Sequence, residues 1–86
     1  MYEKKVKINN TIGLHARPAA EFVDLAKKYK SVVFVENDNK KANASSILTM
    51  LTLDAKKGDE LTIKAEGIDE VEAVNKLVDF IINLNE

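Results

Sequence analysis

The chain has no cysteine, no tryptophan, one proline, three glycines and a single histidine among its 86 residues. Without cysteine there is no disulfide, no thiolate nucleophile and no cysteine-based zinc site, and one histidine cannot build a multi-histidine metal centre. No resident metal or other cofactor is expected. No apolar run approaches the roughly 20 residues that cross a bilayer, and Met1-Tyr2-Glu3-Lys4-Lys5 leads into alternating residues rather than an apolar signal core. The expectation is a cytoplasmic protein with no membrane insertion. Neither charge sign dominates: 13 basic against 14 acidic side chains leave a net charge of -1, which argues against nucleic-acid binding by a broad basic surface. Repeats, low-complexity tracts and Pro/Gly/Ser linkers are missing too.

What is present is an ordinary globular balance of 45% hydrophobic and 31% charged residues. The length suits one compact domain and is too short for two, so residues 1–86 are read as a single unit. Tyr2, Lys4, Val6 and Ile8 alternate with Glu3, Lys5 and Lys7, a period-2 pattern that predicts a first strand. From Ala16 to Tyr29, Ala19, Phe22, Val23 and Ala26 fall at i, i+3, i+4 and i+7, the apolar stripe of an amphipathic helix. Pro18 suits its first turn, where a missing N–H costs nothing. Ser31 to Glu36 is rich in β-branched residues, and Asn37-Asp38-Asn39 predicts a turn into Lys40-Lys41-Ala42-Asn43, hence a hairpin. Ser45 or Ser46 caps a short helix through about Leu53, Gly58 centres a turn, and Leu61, Ile63 and Ala65 alternate as a last strand. Asp69 and Glu72 form a capping-box pattern for a final helix to about Asn83. The order β-α-β-β-α-β-α predicts an α+β open-faced sandwich, a four-stranded, mainly antiparallel sheet covered on one face by three helices.

The histidine, His15, stands where the loop containing Gly13 turns into the first helix. Imidazole offers a neutral nitrogen nucleophile near neutral pH. The backbone N–H groups of Ala16 and Arg17 would sit in the first turn, at the positive end of the helix dipole, where they can meet phosphoryl oxygens. Arg17 adds a planar guanidinium suited to charge-assisted bonds to phosphate. A lone histidine at a helix start is also commonly a cap or a surface residue, and spacing alone does not separate that role from nucleophilic catalysis.

The string from Gly13 to Ala20, GLHARPAA, closely resembles the active-site motif of the HPr family, the histidine-containing phosphocarriers of the bacterial phosphoenolpyruvate-dependent sugar phosphotransferase system. The resemblance continues through Ser46-Ile47 after Asn43, the Lys57-Gly58 turn and Gly67-Ile68-Asp69-Glu70, covering roughly residues 4–82. It implies a phosphoryl carrier that is a shared protein substrate rather than an enzyme. His15 matches the histidine that accepts a phosphoryl group, at Nδ1 in the family, from enzyme I and passes it to the IIA domains of sugar permeases. Arg17 matches the motif's arginine. A carrier that shows one site to successive partners is expected to be a monomer.

Ser46 precedes Ile47, Leu48, Met50, Leu51 and Leu53, more apolar residues than one buried stripe needs. One reading puts Ile47 and Leu51 inward and Leu48 with Met50 in a surface patch for partners; the other puts all of them in the core. By resemblance, Ser46 matches the serine that HPr kinase/phosphorylase modifies in carbon catabolite repression, with a catabolite-control transcription regulator as a further partner. Leu48 and Thr49 depart from the methionine and glycine common there, and Ser45 is a nearby second hydroxyl. Two other functions compete: a regulatory paralogue signalling only through Ser46, a class that lacks the active-site histidine, and an interaction module in which His15 is only a cap.

Overall fold

A computed structural model describes residues 1–84, so the last two residues of the expected 1–86 unit lie outside the described residues. The elements follow in the order β1 (Tyr2–Lys7), α1 (Ala16–Ala26), β2 (Val32–Asn37), β3 (Lys40–Asn43), α2 (Ile47–Leu51), β4 (Glu60–Glu66) and α3 (Glu70–Ile82). The strands form one sheet in the order β1-β4-β2-β3, and every neighbouring pair is antiparallel.

Register follows from the period-2 pattern. Val6 pairs with Leu61, Ile63 with Val35 and Ala65 with Val33, so these buried side chains share one face. The opposite face is polar: Lys64 bridges Glu36 at 3.1 Å and Glu3 at 3.8 Å, and the Lys41 ammonium stands 5.0 Å from the centre of the Phe34 ring. Charged pairs of this kind keep the uncovered face wet and add little stability. On the apolar face α3 lies against β1 and β4, α2 against β3, and α1 between the other two helices.

The stripe of α1 read from the sequence, Ala19, Phe22, Val23 and Ala26, is buried, and Phe22 meets Phe80 of α3 edge to face with ring centres 6.0 Å apart. Burying a ring of that size contributes about 2–3 kcal/mol, more than any surface pair here. The helix is shorter than its periodicity suggests. After Ala26 the ladder tightens, with Lys28 N–H donating to Leu25 and Tyr29 N–H to Ala26, so the segment to Tyr29 closes as turns.

The capping box at Asp69 does not form. Asp69 occupies the N-cap of α3, but its carboxylate reaches across to the α1–β2 connection, accepting from the Lys30 N–H at 2.8 Å, the Ser31 N–H at 2.9 Å and the Ser31 hydroxyl. Three donors offered by another part of the chain outweigh one local N–H. The Ser31 hydroxyl, then the Lys30 amide, hold the Asp69 carboxyl below its ordinary range. Glu70 is lowered in the same direction, first by the Gly67 N–H.

Carboxylates with lowered folded pKa values bind protons more weakly folded than unfolded, so their contribution is whole above the unfolded pKa, about 4. It is lost as pH falls through the lowered values. Urea unfolding across acidic pH is therefore expected to show a falling midpoint below about pH 4, with a shallower fall in Asp69→Asn.

Candidate functional site

His15 occupies the N-cap of α1 with extended backbone angles, φ −84 and ψ −171, and its carbonyl accepts the first intrahelical bond from Ala19 N–H at 3.0 Å. Its side chain makes no capping bond to the first turn. Ala16, Arg17 and Pro18 fill that turn, so the proline stands at the last position where an absent N–H breaks no bond. His15 is half-buried while Ala16 and Arg17 are exposed, which leaves the helix mouth open to a partner.

The loop before His15 is held from behind. Gly13 adopts φ +80, and a Cβ there would lie 2.4 Å from the Ala55 carbonyl oxygen. The same carbonyl accepts from Leu14 N–H at 3.0 Å, and the buried Leu14 side chain anchors the next residue in the core. Asn10, buried beneath the loop, donates through Nδ2 to the Gly13 carbonyl at 3.0 Å. Glycine is required here on two counts, the left-handed backbone and the contact with Ala55.

Arg17 makes an i,i+4 contact with Glu21, at 3.8 Å between exposed groups. Such a pair between exposed groups is worth well under about 1 kcal/mol. The group at this helix start is thus a nitrogen heterocycle, first-turn donors, a dipole end and a cation.

Ser46 caps α2, its Oγ accepting from Thr49 N–H at 3.4 Å, and the Thr49 hydroxyl returns bonds to the carbonyls of Asn43 and Ser46. Ser45 is exposed, its N–H tied to Asn43 Oδ1. The burial of α2 differs from the surface-patch reading. Met50 is 1% exposed and belongs to the core, so it does not face a partner. Ile47 and Leu51, expected inward, are 40% and 36% exposed, and Leu48 is 76% exposed. Five residues make little more than one turn, and α2 offers α1 and β3 only the Met50 side. The surface apolar set is therefore Ile47, Leu48 and Leu51. Asn10, Asn37 and Asp59, which complete the loop's support, carry no motif and pass as ordinary turn residues in the sequence.

Among the described residues no group of histidine, cysteine, aspartate and glutamate is placed to hold a metal, and no helix is long and apolar enough to cross a membrane.

The sequence profile of the PTS HPr component phosphorylation site matches residues 2–83. The chain belongs to the HPr family. It is 45% identical over 84 residues to phosphocarrier protein HPr of Haemophilus influenzae, covering 98% of this chain and 99% of that one. To the HPr-like protein Crh of Bacillus subtilis it is 44% identical over 81 residues, covering 94% and 95%. Among solved structures, HPr-C-His of Thermoanaerobacter tengcongensis superposes with a TM-score of 0.90 at 49% identity over 95% of this chain and 92% of that one; an HPr dimer from the same organism gives 0.74 at 49% identity over 95% and 94%. Membership makes the chain a phosphocarrier of the sugar phosphotransferase system, a carrier rather than a catalyst.

Two substitutions test this account of the site by denaturant unfolding. Gly13→Ala combines a left-handed backbone with a clash at Ala55 and is expected to cost about 2 kcal/mol or more. Arg17→Ala removes an exposed side chain whose pair with Glu21 is screened, and is expected to change stability by less than about 1 kcal/mol.

Proposed function

We propose that His15 is the phosphoryl acceptor, taking the group from phosphorylated enzyme I and giving it to IIA domains of sugar permeases in the cytoplasm. The observation that carries this reading is the placement of the family motif: the histidine of GLHARPAA stands at the mouth of α1, half-buried, its loop held from behind. An imidazole nitrogen attacks phosphorus with its lone pair, the bond from phosphorus to the donor breaks as the N–P bond forms, and the other ring nitrogen keeps its proton. Charge on the three phosphoryl oxygens is met by the N–H groups of Ala16 and Arg17 and by the Arg17 guanidinium. Because these are hydrogen bonds rather than a closed cage, the group can leave towards the next acceptor. Retention of His15 separates this reading from that of a carrier-like regulator acting only through serine.

Regulation at Ser46 is a second part of the proposal, supported by its partial exposure at the start of α2 and by Leu48 two residues on. A phosphate there adds negative charge beside the apolar set Ile47, Leu48 and Leu51, which disfavours acidic partner surfaces and can create a contact for a transcription regulator. The enzyme supplying it is an HPr kinase/phosphorylase.

Incubation with enzyme I, phosphoenolpyruvate and magnesium is expected to give an acid-labile, alkali-stable adduct that is lost in His15→Ala and kept in Ser46→Ala. Labelling that survives His15→Ala sinks the assignment. With HPr kinase and ATP the label is expected on Ser46 and to vanish in Ser46→Ala. The carrier is further proposed to act as a monomer, so sedimentation at working concentration should give one species near 9.6 kDa; a stable species of twice that mass would contradict it.

A further inference from the structure

The support behind His15 is itself held by a small polar network. Asp59 Oδ2 accepts from Lys56 N–H at 3.0 Å and from Asn37 Nδ2 at 3.1 Å. The second hydrogen of Asn37 Nδ2 goes to the Leu53 carbonyl at 3.0 Å, so one buried amide joins β2 to both ends of the segment that leaves α2. Asp59 N–H returns to the Lys56 carbonyl at 2.9 Å, closing residues 56–59 as a turn. That turn is stitched to the end of the first strand, with Ile8 N–H donating to Asp59 and Gly58 N–H donating to Ile8, at 2.9 and 2.7 Å. Ala55 stands between Leu53 and Lys56, and its carbonyl is the surface against which Gly13 packs and from which Leu14 hangs.

We propose that Asp59 is a positioning residue for His15, acting through the Lys56 amide to fix the Ala55 carbonyl and, through Leu14, the direction of the imidazole. The proposal rests on His15 being the phosphoryl acceptor. Asp59 does not touch the phosphoryl group. Its carboxylate accepts from both the turn and β2; without it Lys56 N–H loses its side-chain partner and Asn37 Nδ2 is left with the Leu53 carbonyl. Ala55 and Lys56 then keep their backbone bonds to Leu14 and Asp59 but lose their side-chain anchor, and a shift there carries with it the backbone just before His15. Group transfer is steep in such displacements, since a misplacement of about 1 Å can cost about 100-fold in rate.

The experiment measures phosphoryl acceptance from enzyme I by the whole chain, together with hydrogen exchange at the Leu14 amide. Asp59→Ala is expected to lower kcat about 10-fold with KM changed by less than about twofold, and to speed Leu14 exchange about 10-fold. Asp59→Asn keeps an acceptor oxygen and is expected to restore kcat to within about threefold. Where Asp59→Ala does not stay folded, Asp59→Ser is measured in its place with the same expectation. Asp69→Ala removes a comparable set of bonds beyond the other end of α1, about 16 Å along the helix, and is expected to leave kcat unchanged. An unchanged kcat in Asp59→Ala, a rise in KM alone, or an equal loss in Asp69→Ala overturns the positioning role. A wild-type chain that takes no label overturns the His15 reading and this proposal with it.

Discussion

The contact between the Ala55 carbonyl and the backbone of Gly13 and Leu14 is the constraint on which the site depends. It joins two segments about forty residues apart and decides both the identity of residue 13 and the angle at which the chain enters α1. A loop of this kind lies on the surface and would otherwise sample many conformations. Here it is braced on one side by Ala55, beneath by Asn10 and at its end by the first intrahelical bond to the His15 carbonyl.

The rest of the fold serves as the anvil for that brace. Sheet and helices share one apolar cluster, with Phe22, Ile63, Leu77 and Ile81 fully covered, and α1 is fixed in it along most of its length. Its N-terminus is therefore a rigid end presented to solvent. Rigidity matters because the first-turn donors at that end are backbone groups, and a backbone group is only as well placed as its helix. Two polar clamps close the molecule beyond the ends of α1, Asp69 on the α1–β2 connection and Asp59 on the turn before β4. Each ties segments that hydrophobic burial alone would leave loose.

Patterns of period 2 and 3.6 made the elements legible, and their order led directly to the antiparallel open sheet. Where pattern and structure differ, the cause is local. The helical periodicity runs on to Tyr29, into residues whose hydrogen bonds have already tightened to i→i−3. The rotation of α2 was not readable, since five residues contain too little of a period to say which side Met50 takes. At Asp69 a local capping signal was overridden by donors from Lys30 and Ser31, 39 and 38 positions away. Within the site, His15 and Arg17 stand in one contiguous string and could be picked out. Asn10, Asn37 and Asp59 could not, because a polar residue in a turn has a sufficient local explanation and its long-range partner appears only when the chain is closed.

Helix α2 hangs on a single buried side chain, Met50, with Ser46 and Thr49 closing its first turn by their own bonds. Leu48 owes almost nothing to the interior, and Ile47 and Leu51 are only partly covered. Substitutions at its outward residues therefore cost little folding energy, whereas the neighbourhood of Gly13 has no such latitude. Leucine at 48 sits on the permissive side of that division. One small molecule thus contains a part that is hard to change, at the entry to α1, and a part that is easy to change, on the short helix packed against α1.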